Sequence, residues 1–272
     1  DTLYFNNPGK FIKFKKITIN EYSEINGQCG LPVSLEPAYG VTNAVLEKNT
    51  DSLSIDFCNL TKVTATGGAV FVATNCNDLG GNTGWLISSP ASRNLYWVGG
   101  TGNWSDTNHW SLSSGGASGI CLPGPFDNVY FDANSFLTVG DSVIIDQLYS
   151  QCHDFDWTNA TNSPYVKINY GIQFVVSGSV KLAAGMNFET YNNSLILNST
   201  EVNSITSNGV YLPKTYFRGG GTWNLNDNIS GVSFYFNKGT INTNDFDVHT
   251  IAFRYASLNN VYDTTYYNLG TS

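Results

Sequence analysis

In the second half of this chain, apolar residues fall on alternate positions, in short runs cut off by glycine and asparagine. Ile172, Phe174 and Val176 form one run, Val180 and Leu182 the next, then Leu195 and Leu197, then Val232, Phe234 and Phe236. A period of two gathers side chains on one face of a strand, whereas a helix needs apolar positions three and four apart. Between the runs stand SGS, YNNS, SNG, RGGG, NDN and NKG. Gly and Asn accept positive φ, and Asn side chains bond nearby backbone, so these clusters turn the chain. Stretches rich in Ala, Leu, Glu and Lys, which would favour helix, are almost absent. The chain is expected to be all-β.

Strand centres near Phe174, Leu195, Tyr216 and Phe236 recur about every 20 residues, a period in the range of stacked-coil repeats. That spacing predicts right-handed parallel β-helix or β-solenoid-like repeats. A pair of β-sandwich modules, with turns every ~8–12 residues, is the alternative. The density of Asn and Gly turns, and the lack of a Cys, Trp, Cys framework, favour the solenoid. The 272 residues suit one large β domain or two smaller ones. An echo between DSLSID at 51–56 and DSVIID at 141–146, each followed by a cysteine, adds a hint of modular design.

Charge narrows the partners. The net charge of -8 and the total of 13 Lys and Arg argue against nucleic acid, whose phosphates demand clustered cations. The one basic run, KFIKFKK at 10–16, interleaves Phe11, Ile12 and Phe14 and reads as a strand with one basic face. No apolar run reaches the ~20 residues of a membrane-spanning helix, so no transmembrane segment is expected. The opening DTLYFNNPGKF lacks the regions of a signal peptide, and the chain reads as a mature product or an excised segment.

Cys29, Cys58, Cys76, Cys121 and Cys152 are too widely spaced for a zinc-binding pair. In an oxidising compartment one or two disulfides are expected. Sequence alone leaves connectivity open; Cys121 with Cys152 and Cys58 with Cys76 are the pairings taken forward, with Cys29 to Cys58 as a competitor.

The middle of the chain has a different character. In the segment 88–136, Trp97, Trp104 and Trp110 alternate with Gly99, Gly100, Gly102, Gly115 and Gly116, and Pro123 and Pro125 follow. The run YWVGGTGNWSDTNHWS, continued by FDNVYFDANSF, resembles the opening of long repeats in giant type IX-secreted cell-surface adhesins of Bacteroidota, including gliding-motility adhesins. The earlier TKVTATGGAVFVATNCNDLGGNTGW, 61–85, resembles the closing part of such a repeat. A closing motif before an opening one implies that residues 1–91 end one β repeat module and 92–272 begin the next. Trp97, Gly99, Gly100, Gly102, Asn103, Trp104, Asp127, Phe131, Asp132 and Trp157 carry the likeness. It covers 61–157; elsewhere the similarity is one of composition.

That resemblance implies a non-enzymatic, secreted segment at the cell surface, associated with the outer membrane. It would serve surface attachment or gliding motility, or act as a stalk spacer. Its partners would be an extracellular surface or glycan, neighbouring repeats of the same chain, and the secretion and motility machinery. It also implies O-glycosylation at Thr2, Ser52, Ser142 and Thr264, which follow Asp in the motif of that phylum. A β-helix polysaccharide-binding or polysaccharide-degrading protein is the alternative function.

An enzyme of that kind needs paired carboxylates. Asp245 and Asp247, with His249 following, would share one face of a strand, as would Asp154 and Asp156; a polar outer stripe explains them equally, and no catalytic residue is assigned. No cofactor is expected beyond a structural calcium, for which Asp127, Asp132 and Asp141 are the candidates, the competing role being turn capping. Trp97, Trp104, Trp110, Trp157 and Trp223 suit sugar stacking in principle, but burial is the commoner fate of an indole in a Gly-rich β fold. The tyrosines Tyr211, Tyr216, Tyr235 and Tyr255 are the candidates for ligand binding, because an amphipathic ring tolerates a wet surface.

Overall fold

Alternation along a strand sends successive side chains to opposite faces, and Gln173–Val176 and Lys214–Arg218 each present one buried and one outward row. The computed structural model describes residues 3–5, 9–21, 23–148, 150–189, 193–255 and 265–268, with backbone alone for 3–5, 23, 255 and 265–268. The chain is all-β, its one described helical element being a 3-10 turn at Thr107–His109. Among the described residues no helix is long and apolar enough to cross a membrane. Two compact units divide the chain at Ala91 and Ser92.

In the first unit the chain visits three parallel sheets in turn. Leu3–Phe5, Phe11–Phe14 and Lys16–Thr18 begin one sheet each, and Ser23–Asn26, Val33–Pro37 and Ala44–Glu47 add the next strand to each. Ser52–Asp56, Cys58–Leu60 and Val63–Thr66 complete a third circuit. Side chains facing inward, such as Val33, Leu46, Ile55 and Val63, form the core. One buried column is polar and satisfies itself: Asn77 Nδ2 donates to Asn59 Oδ1 (2.8 Å) and Asn59 Nδ2 to Ser34 Oγ (3.2 Å).

The basic run does not form the single strand its spacing suggests. It bends at Lys15, so that Phe11–Phe14 and Lys16–Thr18 belong to different sheets. Its charge is met by acids one circuit away, Lys13 with Glu36 at 2.8 Å and Lys16 with Glu47 at 2.7 Å.

The second unit repeats the plan. Val129, Phe155, Val180, Ile205 and Leu225 stand in register on successive strands of one sheet, 26, 25, 25 and 20 residues apart. A second sheet runs from Gly102–Asn103 through Ser142–Ile145 and Tyr165–Ile168 to Asn187–Phe188. The third contains Gln151–Cys152, Gln173–Val176, Ser194–Asn198, Lys214–Arg218 and Ile229–Phe236. Both Tyr211–Leu212 and Val248–Tyr255 pair with Ile229–Phe236. Among the described strands every pairing is parallel except that of Asn94–Trp97 with Trp110–Ser111. The antiparallel hairpins of a β-sandwich are thus not the building unit here.

The 20-residue spacing carries one correction. Phe174 is in register with Leu195, but Leu195 faces Thr215, and Tyr216 faces Tyr235 instead of Phe236. A one-residue offset exchanges faces: Leu195, Phe217 and Phe236 point into the core, while Tyr216 and Tyr235 share the outer row.

Candidate functional site

The glycine and tryptophan motif builds the end of the second unit's core. Trp97, Trp104, Trp110 and Trp157 are fully buried, and Trp223 is 1% exposed, so none offers a ring face to a sugar. Trp97 lies parallel to the His109 ring (4.6 Å, 9°) and crosses Trp110 edge-on (5.2 Å). Its Nε1 donates to the Gly100 carbonyl at 2.7 Å, and Trp110 Nε1 donates to the Trp104 carbonyl at 2.9 Å. Trp157 stacks on Phe131 at 3.9 Å. The glycines follow from this packing: Gly99 and Gly100 take φ of 88° and 77°, and Gly102 lies against the His109 ring.

Each proposed calcium ligand accepts hydrogen bonds from protein groups. Asp127 receives Arg93 Nη2 (2.6 Å), Arg93 Nε (3.1 Å), the Arg93 amide (2.9 Å) and the Gly124 amide (2.8 Å). Asp132 accepts from the Asn134 amide at 2.8 Å. Asp141 accepts from the Leu137 and Thr138 amides and from the hydroxyls of Thr101 and Thr138, all at 2.7–3.0 Å. Burial alone would raise the Asp141 carboxyl, but these bonds outweigh it and hold it below its ordinary value. Among the described residues no three His, Cys, Asp or Glu side chains gather into a metal-binding group.

The paired carboxylates have partners of their own. Asp245 is not on a strand: it occupies a turn with Asn244, both at positive φ, closed by the Phe246 amide to the Thr243 carbonyl. Asp247 and His249 are about 70% exposed and 3.8 Å apart. Asp154 accepts from the Ser179 amide (2.7 Å) and pairs with His153 (3.3 Å), while Asp156 meets Lys181 at 3.4 Å. Hydrogen bonding to Asp154 raises His153 above its ordinary pKa, and Glu201 at 3.7 Å adds to the shift.

Cys58 pairs with Cys76, which rules out the competing Cys29 to Cys58 bridge. Cys29 and Cys121 are disulfide-bonded as well. Cys152 is a free, fully buried thiol, so the expected Cys121 to Cys152 bridge does not form; its side chain faces the core from Gln151–Cys152, and burial pushes the thiol well above its ordinary pKa. Disulfides place the chain in an oxidising environment. Of the glycosylation candidates, Ser52 is exposed. Ser142 is only 4% exposed, its hydroxyl turned to the Gly140 carbonyl, and the folded chain leaves no room there for a sugar. Thr2 and Thr264 lie outside the described residues.

The outer row of the sheet containing Lys214–Arg218 gathers the polar chemistry left on the surface. Tyr216 and Tyr235 stack at 4.6 Å and 19°. Lys214 Nζ lies 5.8 Å from the Tyr216 ring and 5.4 Å from that of Tyr235. Arg218 covers Tyr216 at 4.9 Å, and Arg254 approaches Tyr235 at 6.0 Å, distances at which a cation is drawn to a ring face. Arg218 is half-buried; its Nε has no hydrogen-bond partner among the described residues, and burial lowers its pKa.

The structure thus brings together two of the four tyrosine candidates. Tyr211 is 44% exposed and in register with Ser230, away from that row, and the Tyr255 side chain lies outside the described residues. The cations were missed by sequence reasoning, although K-x-Y-x-R at 214–218 and F-R-Y at 253–255 carry a period-two signal. Comparison with protein-family models, with characterised proteins and with solved structures finds no match to this chain.

Proposed function

We propose that the chain is a non-enzymatic segment of a large secreted cell-surface adhesin, resembling the type IX-secreted repeats, that serves attachment or gliding motility or holds another part of the parent chain away from the cell. The fold proposed with it is a right-handed parallel β-helix, the hand following from the strong preference for right-handed crossovers between parallel strands. The supporting observation is the strand-by-strand parallel stacking in each unit, in which a circuit binds the circuits before and after it. Such an array lengthens without a new fold and suits a stalk.

The fate of the acids supports the same reading. Glycoside hydrolysis by two carboxylates needs a pair held across a sugar, whereas Asp127, Asp132, Asp141 and Asp154 accept bonds from neighbouring amides. The partners proposed are an extracellular surface or glycan and adjoining repeats. Beads coated with the 272-residue chain should hold to polysaccharide-coated glass under flow, and the chain should release no new reducing or unsaturated ends from polygalacturonate or dextran. Release of ends would replace the adhesin with a polysaccharide-degrading β-helix.

A further inference from the structure

The strands of the sheet that holds the stacked tyrosines carry cations and no acid. The chain has 21 Asp and Glu, yet none lies in Gln151–Cys152, Gln173–Val176, Ser194–Asn198, Tyr211–Leu212, Lys214–Arg218, Ile229–Phe236 or Val248–Tyr255. The same strands contain Lys214, Arg218 and Arg254. Four cations elsewhere are neutralised: Lys13, Lys16, Arg93 and Lys181 each meet a carboxylate within 4 Å. Among the described residues Lys214, Arg218 and Arg254 meet only aromatic rings.

We infer that the row formed by Lys214, Tyr216, Arg218, Tyr235 and Arg254 is a binding site for an anionic polysaccharide, one bearing carboxylate or sulfate groups. This deepens the adhesin reading and rests on it. The tyrosines stack on each other and are covered by cations, so their ring faces are taken. What remains for a ligand is their hydroxyls, which suit sugar hydroxyls, and three positive groups held in place by cation–π contact.

The geometry suits a chain molecule. Neighbouring parallel strands lie ~4.8 Å apart, a step comparable to one pyranose unit, so a polymer laid across Lys214–Arg218, Ile229–Phe236 and Val248–Tyr255 meets a cation or a phenol at each step. An arginine's planar fork also matches the two oxygens of a carboxylate or sulfate. A neutral glycan would leave the cations without partners.

The test is binding of the full 272-residue chain, by biolayer interferometry at matched ionic strength, to polygalacturonate, dextran sulfate, neutral dextran and duplex DNA. Expected are binding to the two anionic polysaccharides that weakens with salt, and no binding to neutral dextran. The K214Q/R218Q/R254Q variant should lose affinity about tenfold or more, while K13Q, whose lysine is already ion-paired, should leave it unchanged. K214Q/R254Q makes the same test if loss of Arg218 unfolds the chain. Equal binding by these variants, or by neutral dextran, overturns the site. Equally tight binding of DNA replaces the glycan with an unselective polyanion. If coated beads still attach under flow while no anionic polysaccharide binds, this site fails and the adhesin reading survives; loss of attachment as well sinks both.

Discussion

A Cβ placed on Gly102 would stand 1.9 Å from Nε2 of His109, closer than two such atoms can approach. Gly102→Ala should therefore destabilise the second unit, by about 1–3 kcal/mol, the usual scale of overpacking. In urea melts, the double variant with His109→Ala should cost less than the two single changes added together, because removing the ring removes the clash. A second residue-scale prediction concerns His153. Its native pKa is raised, first by the hydrogen bond to Asp154, so the native state holds this proton more tightly than the unfolded chain does. The resulting stabilisation is complete below the unfolded value of about 6.5 and is lost as pH rises through the native one. A proton NMR titration should give His153 a pKa above that reference, and Asp154→Asn should bring it down. The tryptophans and glycines were legible at this scale, since large rings and positive φ have few uses in a β fold. The aspartates were not, because a carboxylate that caps a turn and one that binds calcium occupy the same kinds of sequence.

For whole elements, alternation was enough to find strands but not to align them. Spacing alone puts the residues near 216 and 236 in one column; the true neighbours are Tyr216 and Tyr235, and an offset of one residue decides whether a ring is core or surface. The basic site escaped because Arg254 belongs to a strand 36 residues beyond Arg218, and only the register brings the two near one pair of rings. Cysteine pairing depends on register in the same way. Cys58 and Cys76 sit on consecutive circuits, 18 residues apart, with Cα atoms 4.4 Å from each other. Replacing both by Ala should cost about 3 kcal/mol, the scale for closing a loop of this size, read as an earlier melt of the first unit. Iodoacetamide should modify Cys152 only after denaturation, with one carbamidomethyl group per chain by mass spectrometry; ready labelling of the native protein would contradict its burial.

At the largest scale, the all-β character was plain from composition and period, but the parallel return of the chain to each sheet was not, because it depends on pairs of strands some 20 residues apart. Those pairs have a mechanical meaning. Ladder hydrogen bonds between circuits of the second unit are made one circuit at a time, and the in-register steps run from 41 residues at Gly102 to Val143 down to 18 at Asn224 to Asn242. Under tension along the stack such bonds break as a zipper opens, turn by turn. A stretched chain should then lengthen in increments of about 60–150 Å per circuit, visible as a sawtooth in single-molecule force spectra. The stretch between Cys58 and Cys76 should stay hidden until a reductant is added. A chain that yields in small, recoverable steps takes up a sudden pull without letting go at either end.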